Sequence, residues 1–319
     1  MSRIFSYVSI DIWRMMAILV PFITVPAALP FTAGGMENSA PEPKMPSWTR
    51  LRYADTTVLG SLSTEVRITK SDPQAMQAAV PSDLPEMPLP AAPEDLLTLG
   101  VSAYGHSIVK SYTVGAVIWF NPYNGATIQR DKLTRGGKAS KRIYRYTPHG
   151  VHRLRIEPED RNEEKEDAGN WSRVKQTYFP FDLEKAGCEL VIDPAVLFYL
   201  ISVAGLHPDS APLRFCAFTN DELYWLSVKP QELRQRSVNY IRRTSTIEET
   251  VEGTIEVLPL EIRATPVRHK KKSKEFEFLE LRGNIRIFLD MKTGIPVQIS
   301  GERRVVGKMD IKLDKVVVH

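Results

Sequence analysis

The sequence predicts a mainly β fold (β-rich α+β): a large curved antiparallel sheet, or open half-barrel, wrapped around one short apolar helix. Three observations predict it. Strand-like runs separated by turn signals follow one another along most of the chain, as in sequential hairpins. One segment, at 194–204, is apolar on all sides and too short to cross a bilayer. Near the end of the sequence, apolar and charged side chains alternate, which gives a strand one apolar face and one charged face.

Composition and charge exclude several classes of protein. The 319 residues are 43% hydrophobic and 25% charged, which is globular composition. The net charge is +4 and the isoelectric point about 8.9, but Lys and Arg are spread along the whole chain. We therefore expect no nucleic-acid partner, because nucleic-acid binding needs clustered basic residues.

The first 35 residues have the pattern of an export signal. Arg3 and Arg14 precede the apolar run "MMAILVPFITVPAALPF", and small residues follow it. We predict a signal peptide at 1–35 and a periplasmic location in a bacterium. A retained membrane anchor is the alternative, favoured by Asp11. Three prolines in the apolar run argue against a spanning helix, so we expect no stable membrane span after cleavage.

The next segments alternate between linker and strand. A Pro-rich linker is predicted at 36–47, and one β-rich domain at 48–319. The domain begins with a strand pair that turns near Gly60. Prolines without apolar periodicity then predict a flexible insertion at 71–93, followed by a short helix at 94–99.

The middle of the chain holds more strands and the one strong helix signal. Strands are predicted from Val101 onward, then a charged loop at 157–167. In "DPAVLFYLISVAGLHP", Asp193 is a suitable N-cap, Pro194 fits the first helical position, and Gly205 ends the helix. A helix that is apolar all round must be buried, so we expect the sheet to wrap around it.

The last third of the chain predicts a hairpin and a closing meander. Asn220 and Asp221 suit the hairpin turn. In the final strand Met309, Ile311 and Leu313 share one parity and should face the concave side of the sheet. The intervening Lys and Asp residues should face water and discourage pairing at a sheet edge.

Three stretches carry a family resemblance: "LRYADTTVLGSLSTEVRI", "DPAVLFYLI" and "NIRIFLDMKTGIPVQISGERRVVGKMDIKLDKV". Together they resemble the bacterial domain-of-unknown-function family numbered 3108. These are exported envelope proteins similar in architecture to LolA and LolB, the periplasmic lipoprotein carriers. The resemblance follows the order of elements over roughly 48–318, with Asp290 at a strand end and Gly307 before the last strand. The insertion at 71–93 and the charged loop at 157–170 depart from the family pattern.

The resemblance implies an exported protein with a curved sheet over a helix and a cavity for an acyl chain. The family has no established catalytic residues, so none is carried over. The residues themselves show no nucleophile motif, phosphate loop or dinucleotide fingerprint. His149 and His152 are too few for a metal site. We therefore predict neither enzyme activity, nor a cofactor, nor a bound metal.

The two cysteines leave two alternatives open. Cys188 and Cys216 would meet an oxidising compartment after export, where a disulfide is possible. Two separately buried thiols are the interpretation that we favour from the sequence.

Aromatic and apolar residues supply the candidate ligand wall: Trp119, Phe198, Tyr199, Met309 and Ile311. Such residues belong more often to a filled core than to a binding site. A half-barrel closed over one short helix, however, leaves room for a void, and that void would be the default ligand site.

Three functions compete at this point. The first is a non-enzymatic periplasmic protein that binds a lipid or an acylated protein segment in the concavity of the sheet. The second is a structural or interaction module of the cell envelope with a filled core, whose Pro-rich segments dock a protein partner. The third is an envelope enzyme that acts on glycan or lipid.

Overall fold

The computed structural model describes residues 42–57, 60–78, 87, 93–107, 111–268, 274–303 and 307–319. Pro43–His319 form one compact unit. The predicted signal peptide at 1–35 and the first part of the predicted linker lie outside the described residues.

The described residues are mainly strands. The strands are β1 (Trp48–Thr57), β2 (Gly60–Ser71), β3 (Leu96–Ser107), β4 (Ser111–Phe120), β5 (Thr127–Arg135), β6 (Ser140–Thr147), β7 (Gly150–Glu157), β8 (Arg173–Pro180), β9 (Val191–Ile192), β10 (Leu213–Thr219), β11 (Glu222–Pro230), β12 (Arg234–Arg243), β13 (Glu248–Pro266), β14 (Arg282–Asp290), β15 (Pro296–Arg303) and β16 (Gly307–Val318). The helices are α1 (Pro73–Ala78), α2 (Leu183–Ala186) and α3 (Leu197–Val203), with 3₁₀ turns at Glu163–Lys165 and Pro194–Val196. The predicted β-rich fold class is confirmed.

The sheet consists of two meanders joined in the middle. Its strand order is β8-β7-β6-β5-β4-β3-β2-β1-β16-β15-β14-β13-β11-β10-β9, and β12 pairs with both β13 and β16. Neighbours in each meander are mostly antiparallel hairpins, as the turn signals predict. The two meanders meet where Leu51 of β1 lies opposite Val316 of β16. Because β16 is an interior strand, the prediction that its charges guard a sheet edge is wrong.

The sheet curls so that its two ends meet. Tyr146 on β6 and Phe218 on β10 belong to strands near opposite ends, yet their rings pack edge to face with centroids 6.2 Å apart. The guanidinium of Arg153 on β7 forms an ion pair with Asp221 in the β10–β11 turn. A disulfide joins Cys188 to Cys216 in the same cluster, so the bridged alternative is the one observed. These contacts form a seam between the sheet ends.

Helix α3 fills one part of the enclosed space. Phe198 contacts the rings of Tyr53 and Phe278, with centroids 6.0 Å and 5.4 Å away. Tyr199 contacts Phe120 with centroids 5.0 Å apart. The helix is preceded by a 3₁₀ turn, and the Asp193 carboxylate accepts from the backbone N–H of Ala195, as its predicted capping role requires. The prediction of a short apolar helix inside a curved sheet is confirmed.

The outer face of the sheet is covered in two places. Met76 of α1 is buried against Trp119, and the charged loop places Trp171 against Leu154 of β7. Two sequence predictions differ from the structure here. Part of the predicted flexible insertion is helix α1, whose one buried residue, Met76, packs on the sheet. The predicted short helix at 94–99 is instead the start of β3, where long-range strand pairing outweighs local helix propensity.

Candidate functional site

A cavity of about 340 Å³ lies inside the curled sheet, beside the space that α3 fills. Inward-facing residues of β3, β4 and β5 line one side of it. The other side comes from distant parts of the chain: the turn before α3, the end of β10, the segment that precedes β14, and the end of β15. Its lining residues are Val101, Ala103, Val114, Ala116, Ile118, Arg130, Lys132, Asp193, Pro194, Ala195, Thr219, Asn220, Glu277, Phe278, Leu279, Glu280, Arg282 and Arg303.

The wall formed by β3 and β4 is apolar. Alternate residues of a strand point to the same face, and Leu99 on β3 and Ile118 on β4 are buried in the core. Val101 and Ala116 continue that face and lie opposite each other in register. Both residues line the cavity and pack against the core, but they are only partly buried. This wall therefore exposes aliphatic surface inside the protein.

A strained turn closes the opposite side. Phe278 and Leu281 pair as an isolated bridge, and the two residues between them, Leu279 and Glu280, have φ values of 49° and 66°. Non-glycine residues seldom adopt this left-handed conformation, and such strain concentrates at binding sites. The turn places Leu279 and Glu280 at the cavity.

Glu280 is paired within a small polar network. The Tyr112 hydroxyl donates to the Glu280 carboxylate at 2.5 Å, and the Arg303 guanidinium lies 3.7 Å from it. Tyr112 is placed by Gly105, its cross-strand partner, because a Cβ at Gly105 would lie 2.2 Å from the tyrosine ring. Burial and the bond to Glu280 hold the pKa of Tyr112 above its ordinary value, so the hydroxyl keeps its proton.

The floor of the cavity is a buried ion pair. An Arg130 guanidinium nitrogen lies 2.6 Å from the Asp193 carboxylate, and both side chains are almost inaccessible. The guanidinium also stacks on the Tyr144 ring, 4.1 Å from its centroid. Burial works to lower the pKa of Arg130, but the Asp193 carboxylate, acting together with Tyr146 and Tyr144, raises it overall. The pair ties β5 to the turn before α3.

Lys132 is the unpaired cation of this site. It lines the cavity two residues after Arg130, and no ion pair involves it among the described residues. Burial, and then the nearby Arg130 charge, lower the pKa of its ammonium. Cross-strand from it stands Arg142 of β6, another cation.

The five predicted wall residues lie elsewhere. Phe198 and Tyr199 are buried on α3, and Met309 and Ile311 are buried on β16 in the same core cluster. Trp119 points to the outer face, under α1. None of the five lines this cavity, so their role in ligand binding stays a prediction. The structure brings Phe198 and Tyr199 together with the sheet but separates Trp119 from the other four.

The cavity residues that sequence reasoning missed carried a weak signal. Lys132 lies between Asp131 and Leu133, and Arg142 lies between Lys141 and Ile143, so the sequence does not distinguish the inner from the outer face of either strand. Leu279 and Glu280 follow a stretch with no turn signal. Only the three-dimensional curl brings these residues to one place.

Comparison with known protein families and with curated proteins finds no match. The chain is similar to a solved structure, the β-barrel-like protein of domain of unknown function DUF1849 from Brucella abortus. The two share 9% sequence identity, the alignment covers 86% of this chain and 100% of that chain, and the TM-score is 0.44.

Three further observations complete the description of the structure. Within the described ranges, no group of three or more His, Cys, Asp or Glu residues is placed to hold a metal ion. No helix in the described part of the chain is both long and apolar enough to span a membrane. The two carboxylates at the cavity with defined partners, Asp193 and Glu280, are each held by an arginine.

Proposed function

We propose that this protein binds an apolar ligand, such as a lipid or an acylated protein segment, inside its curled sheet, and that it catalyses no reaction there. One observation carries the proposal: a cavity of about 340 Å³, open to solvent on one side, with an uncovered aliphatic wall. That volume falls within the usual range for small-molecule sites, about 300–1,000 Å³.

The energy of such binding comes from burial of the ligand chain. Val101, Ala116 and Leu279 are partly covered core residues that line the cavity. Each methylene group transferred from water contributes about 0.8 kcal/mol, so about five of them contribute roughly 4 kcal/mol.

We further propose that the protein works in the bacterial periplasm. The basic-apolar-small order of residues 1–35 supports export. The disulfide between Cys188 and Cys216 supports an oxidising compartment. The resemblance to the envelope family numbered 3108 points the same way.

A second function, an envelope interaction module, is favoured by a different observation. Around α3 the concavity is filled, because Leu197, Phe198 and Tyr199 are all buried against the sheet. In that function the cavity is incidental, and partners dock on the outside of the protein.

Blocking the cavity separates the two functions. Ala116→Phe places a ring against the aliphatic wall, whereas Val117→Phe places the same ring on the outer face of the same strand. We expect the wild type and Val117→Phe to retain a lipid in native mass spectrometry after gentle purification and to take up a fluorescent fatty acid. Ala116→Phe should do neither while folding normally by circular dichroism. Ligand-free wild type with no uptake would rule out the first function.

A further inference from the structure

A ladder of four cations crosses the inner face of the sheet next to the cavity. In register, Lys132 of β5 lies opposite Arg142 of β6, Arg142 opposite Arg155 of β7, and Arg155 opposite Lys175 of β8. Lys132, at one end of this cation ladder, lines the cavity. Lys175 is exposed to solvent on the edge strand, but Lys132, Arg142 and Arg155 are partly buried. Like charges directly opposite each other destabilise a sheet, so these three cations call for a compensating group.

The protein supplies little of that compensation. Arg155 forms an ion pair with Glu157, 2.5 Å away. The described residues provide no ion pair for Lys132, Arg142 or Lys175. The nearby carboxylates already have other partners. Asp193 forms an ion pair with Arg130, and Asp221 forms one with Arg153. Glu280 is bound by Tyr112 and Arg303. Glu277, which also lines the cavity, is exposed to solvent.

Buried guanidinium nitrogens strengthen this observation. The Nε atoms of Arg142 and Arg155 are buried and have no hydrogen-bond partner in the described structure. Arg130 and Arg153 lie in the neighbouring row of inner-face residues, opposite Tyr144. Their Nε atoms are also buried and have no hydrogen-bond partner in the described structure. Buried donors are nearly always paired in folded proteins, so donors left open on one face point to an acceptor from outside the chain.

The electrostatic potential at this face is positive. Burial opposes ionisation of the Tyr144 phenol, yet neighbouring guanidinium groups, Arg130 most strongly, hold its pKa below the ordinary value. The Lys132 ammonium is destabilised by burial and then by Arg130 and Arg142. An anion at this position would relieve both effects.

We propose that the ligand of the cavity is an amphiphile with an anionic head group, a carboxylate or a phosphate, which Lys132 and Arg142 bind while its chain lies on the wall of Val101 and Ala116. This inference rests on the proposed function, because it takes the apolar cavity as the seat of the chain. Charge-assisted hydrogen bonds of this kind raise affinity by about 10- to 100-fold over a neutral head group.

Isothermal titration calorimetry with matched ligands tests the proposal. The ligands are dodecanoate and dodecyl phosphate, each below its micelle concentration, and dodecanol below its solubility limit. We expect wild type to bind at least one of the two anions about 10- to 100-fold more tightly than the alcohol, and the comparison of dodecanoate with dodecyl phosphate identifies the preferred head group. Lys132→Gln and Lys132→Gln/Arg142→Gln should lose that preference while their affinity for dodecanol stays unchanged.

Two controls keep the result interpretable. Lys138→Gln removes the same charge from an exposed position in the β5–β6 turn and should leave the preference intact. Without ligand, the double variant should melt at the same or a higher temperature than wild type, because it loses like-charge repulsion. A purely structural role for Lys132 and Arg142 would lower the melting temperature.

The outcomes separate this inference from the proposed function. Equal affinity for the anions and dodecanol, or an unchanged preference in the double variant, overturns the anionic head group and leaves the apolar cavity standing. Failure of wild type to bind any of the three overturns the proposed function and this inference together.

Discussion

Removing the buried carboxylate of Asp193 should be one of the most damaging single changes in this protein. Asp193 holds the Arg130 guanidinium at 2.6 Å and accepts a backbone hydrogen bond from Ala195 at 3.0 Å. Its own backbone N–H donates to the Thr127 hydroxyl at 2.6 Å. Asp193→Ala leaves Arg130 charged, buried and without its acid, and it also removes the cap of the turn that leads into α3.

The magnitude follows from these two losses. Breaking a buried ion pair by removing one partner costs about 3–5 kcal/mol. Loss of a side-chain cap costs about 0.5–2 kcal/mol. The two are not strictly additive, so we expect Asp193→Ala to lower the free energy of unfolding by about 4–6 kcal/mol. Asp193→Asn keeps an oxygen acceptor for Ala195 and should lose less, about 2–4 kcal/mol.

Urea denaturation followed by tryptophan fluorescence measures these differences. An exposed pair supplies the matched control: Arg52 and Asp314 lie 2.5 Å apart, with side chains 46% and 41% exposed. Asp314→Ala should cost at most about 1 kcal/mol, because water screens such a pair. The reasoning is refuted if Asp193→Ala and Asp314→Ala shift the midpoint equally, or if Asp193→Ala costs less than about 1 kcal/mol.

Three further predictions concern other parts of the molecule. Burial raises the pKa of Asp131 to about 6, against the partial opposition of Lys141. The folded state therefore holds this proton more tightly than the unfolded chain, and about 2–3 kcal/mol of stability is lost as the pH rises from about 4 to above 6. Asp131→Asn should reduce the change of the urea midpoint with pH over that interval. A midpoint that changes with pH as steeply as in the wild type would contradict this assignment. Reduction of the disulfide between Cys188 and Cys216, which are separated by 28 positions, should lower the free energy of unfolding by about 3–4 kcal/mol and the melting temperature by about 5–10 °C. Calorimetry with and without reductant measures the change. An unchanged melting temperature would show that the disulfide is dispensable. Gly105→Ala should destabilise the fold by about 1–3 kcal/mol because it displaces the Tyr112 ring, whereas an Ala variant as stable as wild type in thermal melts would mean that the ring moves freely.

The sequence was most informative where a signal was local. Asp193 and Gly205 mark the ends of the apolar helical segment, and the structure places them there. Asn220 and Asp221 form the two-residue turn of the β10–β11 hairpin, with φ values of 51° and 68°. The alternation of Met309 with its charged neighbours gives the observed inward and outward faces. Caps, turns and period-two patterns all act over a few residues, which is why one sequence suffices.

The candidate site could not be predicted because it depends on distant pairings. Ala116 and Leu279 meet at one cavity although neither stretch signals the other. The cation ladder is likewise invisible in the sequence, because Lys132 and Arg142 become neighbours only through the register of β5 with β6. The predicted ligand wall consisted of large residues such as Phe198. These residues fill the core, and smaller side chains line the cavity.

The pairing of β1 with β16 has a consequence for how the chain acquires its structure. Trp48 lies opposite Val318, so the central joint of the sheet links residues that are synthesised far apart in time. The first meander emerges with β1 as an open edge, which only the last strand of the second meander covers. Contacts of such long sequence separation make folding slow. We therefore expect nascent chains to need protection from aggregation until β16 has been synthesised. Deletion of Gly307–Val318 would leave two half-sheets with unpaired edge strands that can pair with other chains.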